Sequence, residues 1–134
     1  MPHLSAVYET ILYATDLAAA GRFYSEVLGL RSIRDSAGLL DSFRLPDGGV
    51  LLLFDPRESS KPGRSVPSHG GAGPGHAAFR IGPGDTLAAW REHLATHQVP
   101  IEQEVTWGSG ARSIYFRDPS GNSIEVVEGE IWPR

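Results

Sequence analysis

The chain has 134 residues, no cysteine, 40% hydrophobic and 21% charged residues, and a formal net charge of -4 at pH 7. That size buries a core without disulfide or structural-metal staples, and the acidic balance lacks the basic face of a nucleic-acid binder. No apolar run is long enough for a bilayer span, no thiolate is available as nucleophile or zinc ligand, and no basic-then-apolar leader is legible, so the expected location is the cytoplasm.

In chain order, an apolar strand is expected at about residues 8–14. Asp16 then N-caps a helix that places Leu17, Ala20, Tyr24, Val27 and Leu28 on one face, and Gly29 stops it. Strands follow near residues 30–34, 39–44 and 50–54. Residues 55–75, rich in Pro, Gly and Ser, read as an exposed connector. Beyond it come a strand at 76–81, Asp85 as the cap of a helix carrying Leu87, Trp90 and Leu94, and strands near 101–107, 112–117 and 123–127.

The two halves repeat. Phe43-Arg44-Leu45-Pro46-Asp47-Gly48 returns as Phe116-Arg117-Asp118-Pro119-Ser120-Gly121, at an offset of 73 residues. Each copy reads as a tight turn, with Pro at its second position and Gly at its fourth, followed by an apolar strand. The predicted fold class is α+β: two tandem βαβββ modules forming one cupped mixed sheet with helices outside. Module one covers about residues 6–55, the connector 56–75 and module two about 76–128, within a single domain over residues 1–134.

Aligning the halves matches Glu9 with His76, and Leu52 with Glu125. Strand alternation turns His76, Ala78 and Arg80 to one face, and Glu125 shares its face with Ser123 and Val127. A carboxylate in an apolar strand is costly unless it is paired, hydrogen-bonded or metal-bound. A rim position, with His76 held by an ordinary hydrogen bond, is the plain alternative for any one of these residues. Three metal-competent side chains at three of four equivalent corners make Glu9, His76 and Glu125 the candidate ligands.

The run Glu9-Thr10-Ile11-Leu12-Tyr13-Ala14-Thr15-Asp16-Leu17, with Phe23-Tyr24 and Gly29-Leu30 after it, resembles the opening of vicinal-oxygen-chelate proteins. That superfamily includes glyoxalases, bleomycin- and fosfomycin-resistance proteins and extradiol dioxygenases. Gly75-His76-Ala77-Ala78-Phe79 looks like its second ligand strand, and Tyr115-Phe116-Arg117-Asp118-Pro119-Ser120-Gly121-Asn122-Ser123-Ile124-Glu125 like its hallmark ending. The resemblance implies a homodimer whose divalent ion (Mn, Fe, Ni, Mg or Zn) sits on Glu9, His76 and Glu125. It would act as a Lewis acid on a small oxygen-chelating substrate in lyase or isomerase, epoxide-opening or dioxygenase chemistry. Leu52 stands where glyoxalase I carries a fourth, acidic ligand, and would touch the site without ligating.

By the same resemblance Ser113 and Tyr115 match substrate-contacting positions. The proposed catalytic set is Glu125, Glu9 and Tyr115, and the proposed substrate-binding set is Ser113, Tyr115, Arg112, Leu52 and Trp107. A carboxylate not engaged by metal would shuttle a proton. No nucleic-acid or membrane partner is expected. The competing function is a metal-free, bleomycin-resistance-like protein that sequesters an antibiotic. Arg134 is a further candidate for an anionic group. His93 and His97, at i and i+4 on a helix, have a zinc-capable spacing without the intervening Glu of zinc proteases. In the connector, Arg57, Lys61 and Arg64 are the cations of either a mobile flap that draws in an anionic substrate or an inert linker.

Overall fold

A computed structural model describes residues 1–36 and 38–134. The chain divides into two compact units, Met1–Ala72 and Gly73–Arg134. Each is a βαβββ module with its own four-stranded mixed sheet, so the α+β class and the doubled module order are as expected.

In the first unit β1 (Glu9–Tyr13) leads to α1 (Leu17–Arg22), and β2 (Arg31–Ser36), β3 (Leu40–Arg44) and β4 (Val50–Phe54) follow. The sheet order is β1-β4-β3-β2, with β1 parallel to β4 and the other pairs antiparallel. Asp16 caps α1 by accepting from the Ala19 N–H at 3.0 Å. The helix does not run on as a regular α-helix to Leu28: Phe23–Val27 is a π-helical turn, closed by the Leu28 N–H on the Phe23 carbonyl at 3.2 Å. Gly29, at φ 68, then lets the Leu30 N–H reach the Tyr24 carbonyl at 3.0 Å, one residue further back than the usual glycine link at a helix end, as the π turn requires. Tyr24, Phe43, Leu51 and Leu53 are fully buried, as a helix stripe against one sheet face requires.

Residues 56–72 of the connector belong to this unit and are folded onto it. Asp55 caps a short helix, α2 (Pro56–Ser59), and its carboxylate grips the Arg57 guanidinium at 2.7 Å. Arg57 also donates to the Thr15 carbonyl at 2.9 Å. Lys61 pairs with Glu58 at 2.8 Å, while Arg64 donates to the Ser59 carbonyl and lies 5.7 Å over the Phe54 ring. The His69 ring meets the Tyr13 hydroxyl at 2.8 Å and packs edge-on to Phe54. Each of the three cations thus has a neighbour within the unit.

The second unit runs β5 (His76–Arg80), α3 (Leu87–Thr96), β6 (Gln103–Thr106), β7 (Arg112–Arg117) and β8 (Ser123–Glu128), with sheet order β5-β8-β7-β6. Thr86, not the expected Asp85, caps α3 by accepting from Ala89 at 3.1 Å; Asp85 instead closes a turn on the Gly82 carbonyl. Leu87 and Leu94 bury the apolar face of α3 over Ile114, Phe116, Ile124 and Val126.

Both copies of the repeated turn are built alike. The Gly48 N–H bonds the Leu45 carbonyl and the Gly121 N–H bonds the Asp118 carbonyl, each at 3.0 Å. Both glycines have positive φ, 95 and 86, which an L side chain rarely adopts. The turns set equal registers: Glu9 lies opposite Val50 as His76 lies opposite Ser123. The 73-residue offset is thus a structural equivalence as well as a sequence one.

Candidate functional site

Register in the second unit sets the site. Ala78, Glu125 and Tyr115 form one row across β5, β8 and β7, Ser113 lies opposite Val127, and His76 opposite Ser123. Pleating therefore turns His76, Glu125, Tyr115 and Ser113 to one face. The other face carries Ile124, Val126, Ile114 and Phe116 against α3.

Glu125 is only 5% exposed and is the chemical centre of this face. Its Oε1 accepts from the Ser113 hydroxyl at 2.5 Å, and the Ser113 oxygen accepts from the Trp107 indole N–H at 2.8 Å. Its Oε2 stands 3.3 Å from His76 Nε2. A carbonyl can only accept, so the 3.0 Å contact between His76 Nδ1 and the Ser123 carbonyl puts a proton on Nδ1. In the neutral ring Nε2 then presents a lone pair to a carboxylate oxygen, an arrangement that calls for a proton or a cation. A backbone carbonyl on the far ring nitrogen is also the usual support of a metal-binding imidazole. The 3.3 Å gap matches two donors about 2.1 Å from one ion and roughly 100° apart. One imidazole and one carboxylate suit Mn, Fe, Ni or Zn, so the pair fits the implied divalent ion. Within the second unit no third His, Cys, Asp or Glu among the described residues joins them.

Tyr115 lies nearly parallel to the His76 ring, with centroids 6.1 Å apart. Burial first, then the Glu125 charge, raises its phenol above the ordinary tyrosine range, with a small opposing effect from Ser113. A hydrogen bond to Glu125 adds to that rise. The face opens into a cleft of about 500 Å³ walled by Trp107, Ile131 and Trp132. At the rim Arg80 donates to the Gly129 carbonyl at 2.9 Å and pairs with Glu130 at 3.1 Å.

A polar latch anchors the start of β5. Buried Asn122 accepts from the Gly75 N–H at 2.8 Å through Oδ1 and donates to Asp118 Oδ2 at 2.9 Å. Asp118 Oδ1 accepts from the backbone of Ser120 and Asn122. The residue before His76 is thus clamped by the turn before Glu125.

The structure brings together His76, Glu125, Ser113, Tyr115 and Trp107. Arg112 is not among them: it faces the α3 side, with its guanidinium 2.6 Å from Glu128, whose other oxygen accepts from the Leu87 N–H at the start of α3. Period-two alternation already separates Arg112 from Ser113. Glu9 opens β1 in the first unit and is exposed; Leu52, opposite Ile11 and Ser42 in the same sheet, is half-buried. Arg134 is 92% exposed and 3.8 Å from Glu130. His93 and His97 stand side by side on α3, with ring centroids 4.4 Å apart and His97 Nδ1–H donating to the His93 carbonyl. Sequence reasoning missed the Asn122–Asp118 latch and the Ile131–Trp132 wall. The latch sat inside the quoted turn motif, whereas the exposed Trp132 had no periodic context.

The family model for the Glyoxalase/Bleomycin resistance protein/Dioxygenase superfamily matches residues 2–126. A lactoylglutathione lyase from Agrobacterium tumefaciens is 40% identical, with a TM-score of 0.90 and 98% coverage of each chain. A glyoxalase/bleomycin resistance protein/dioxygenase from Nocardioides shares the fold at TM-score 0.76 and 22% identity, covering 100% of this chain and 91% of that one. MhqE of Bacillus subtilis (strain 168), which bears the name of a ring-cleaving dioxygenase, is 25% identical over 130 residues. Those residues are 91% of this chain but 41% of MhqE, so the chain spans about two fifths of that relative. With its doubled βαβββ fold, its His76–Glu125 face and this match, the chain belongs to the glyoxalase/bleomycin resistance protein/dioxygenase superfamily.

Proposed function

We propose that the chain is a divalent-metal-dependent enzyme acting on a small substrate that chelates through two oxygens, with lyase or isomerase chemistry first among the superfamily's reactions. The observation that carries the reading is the His76–Glu125 pair: an imidazole whose Nδ1 proton is committed to Ser123 and whose Nε2 faces a buried carboxylate oxygen. The 40%-identical lactoylglutathione lyase favours the lyase or isomerase class over ring cleavage.

His76 and Glu125 would hold the ion, and the superfamily resemblance offers Glu9 as the remaining candidate ligand. When bound, the ion supplies Lewis acidity to the substrate oxygens. Ser113 holds Glu125 Oε1, which leaves Oε2 turned toward His76. Tyr115, whose ring lies nearly parallel to that of His76, would offer its hydroxyl to a substrate oxygen. Trp107, Ile131 and Trp132 exclude water from one side of the substrate and hold its apolar part. A homodimer is part of the proposal. Among the described residues no helix is long and apolar enough to cross a membrane.

Calorimetry with Mn²⁺, Fe²⁺, Ni²⁺ and Zn²⁺ tests the reading. Wild-type protein should bind at least one ion, His76→Ala should abolish binding, and Glu9→Gln should weaken it because an amide is a neutral, poorer donor. Uptake that survives His76→Ala and disappears with His93→Ala would move the ion to α3 and end the proposal. A protein that binds none of the four ions would instead be a metal-free binder, a reading that the two tryptophans lining the cleft favour.

A further inference from the structure

We infer that Trp107 and Ser113 are positioning residues that act in series to make Glu125 a one-oxygen ligand directed at the His76 side of the cleft. The inference rests on the metal reading of that face. An indole N–H can only donate, a carboxylate only accept, and a serine hydroxyl has a single proton to give. The 2.8 Å contact from Trp107 Nε1 to Ser113 Oγ and the 2.5 Å contact from Oγ to Glu125 Oε1 therefore have one direction, from indole to hydroxyl to carboxylate. Ser113 is 1% exposed, so its hydroxyl is spent on this relay and is not open to substrate.

The consequence lies at the other carboxylate oxygen. With Oε1 occupied by Ser113, Oε2 stands 3.3 Å from His76 Nε2 and the group is turned for one-oxygen ligation. Without the serine proton the carboxylate can rotate about its terminal torsion, which is broad and roughly two-fold. Trp107 is itself fixed, because its backbone closes the β6–β7 turn in both directions: its N–H bonds the Ala111 carbonyl at 2.8 Å, and its carbonyl accepts from Gly110 at 2.9 Å. The same ring walls the cleft, so one residue both bounds the substrate space and supports the ligand.

The test is a double-mutant cycle read by calorimetric Mn²⁺ affinity, with the indole N–H resonance of the metal-free protein as a second observable. Ser113→Ala should weaken Mn²⁺ binding by about tenfold, the low end for loss of a ligand's supporting partner, and Trp107→Phe by less. Because the two act in series, Trp107→Phe should cost nothing further once Ser113 is Ala. In metal-free protein the Trp107 indole proton, assigned by its loss in Trp107→Phe, should move upfield in Ser113→Ala. Trp107→Phe keeps the apolar wall and the serine, so it tests the relay even if Ser113→Ala folds poorly. Additive losses, an unmoved indole resonance, or full affinity in Ser113→Ala would overturn the inference while leaving the metal site standing. Wild-type protein that takes up no ion would overturn the metal reading, and the inference with it.

Discussion

Replacing Asn122 with Ala removes both ends of the latch that fixes the start of β5. The Gly75 N–H, 2.8 Å from Oδ1, and Asp118 Oδ2, 2.9 Å from the amide nitrogen, each lose a bond. Asp118 is 4% exposed and carries charge, so its lost donor costs about 1.5–3 kcal/mol; the partly exposed Gly75 amide can turn to water and adds about 0.5–1 kcal/mol. The sum, about 2–4 kcal/mol, should appear in urea unfolding as a lower midpoint with an unchanged slope. Asn122→Asp should be worse than Ala, because a second carboxylate would face Asp118 in a buried pocket. Hydrogen exchange adds a local readout: amides of β5 should lose more protection than those of β7. A loss below about 1 kcal/mol, or Asn122→Asp milder than Ala, would refute the latch.

Three other outcomes follow from the second unit. Glu102, Glu104 and Glu128 titrate below the ordinary carboxylate value of 4.5, chiefly through hydrogen bonds from Arg117, Arg91 and Arg112. Folded values below unfolded ones mean stability present above about pH 4.5 and lost as pH falls through them, so melting temperature should drop in that window and Glu128→Gln should flatten the drop. Gly129→Ala should cost about 2 kcal/mol or more in urea unfolding, since φ is 97 and a new Cβ would sit 3.2 Å from the Ala111 backbone. Arg112→Gln should leave metal affinity unchanged by calorimetry, because that guanidinium pairs with Glu128 on the α3 side of the sheet.

The bounds of β4 and β7, and the start of β8, were legible because a Pro-Gly turn preceded β4 and β8 and alternation carried β7. The face shared by His76, Glu125 and Tyr115 was legible for the same reason: period-two alternation is a strong local signal. One-residue choices were not. Asp85 and Thr86 are both good caps, and only the turn that draws the Asp85 amide to Gly82 decides between them. The π turn at Phe23–Val27 was hidden because an apolar stripe tolerates one extra residue. Helix α2 did carry a signal, Asp55 followed by Pro at the first helical position, but a four-residue helix lies under the weight of the surrounding Pro, Gly and Ser. Parity could turn Ser113 to the cleft face, but it could not say that the hydroxyl would be spent on Glu125, since hydrogen-bond partners across strands depend on register.

The repeat explains why the buried acid and its hydrogen-bonded serine lie in the second unit. At the 73-residue offset Leu52 stands for Glu125, Leu40 for Ser113, Ser42 for Tyr115 and Gly49 for Asn122. The pairings agree, since Ser42 lies opposite Leu52 as Tyr115 lies opposite Glu125. A buried carboxylate needs a donor beside it, so the acid and the serine form one physical unit that is present or absent together. Where the first unit has Leu at the acid's position, the donor's position is Leu as well, and nothing polar is left unsatisfied. The latch follows the same division. In the first unit the start of β1 is tied by the Val50 N–H on the Tyr8 carbonyl at 3.2 Å; in the second, the matching bond from Ser123 to Gly75 at 2.9 Å is joined by the Asn122 side chain. The start of β5, which carries His76, thus has a side-chain anchor besides the backbone bond that it shares with the start of β1. The extra hydrogen bonds of the second unit fall on the residues that hold His76 and Glu125 in place, which is where a binding site needs rigidity.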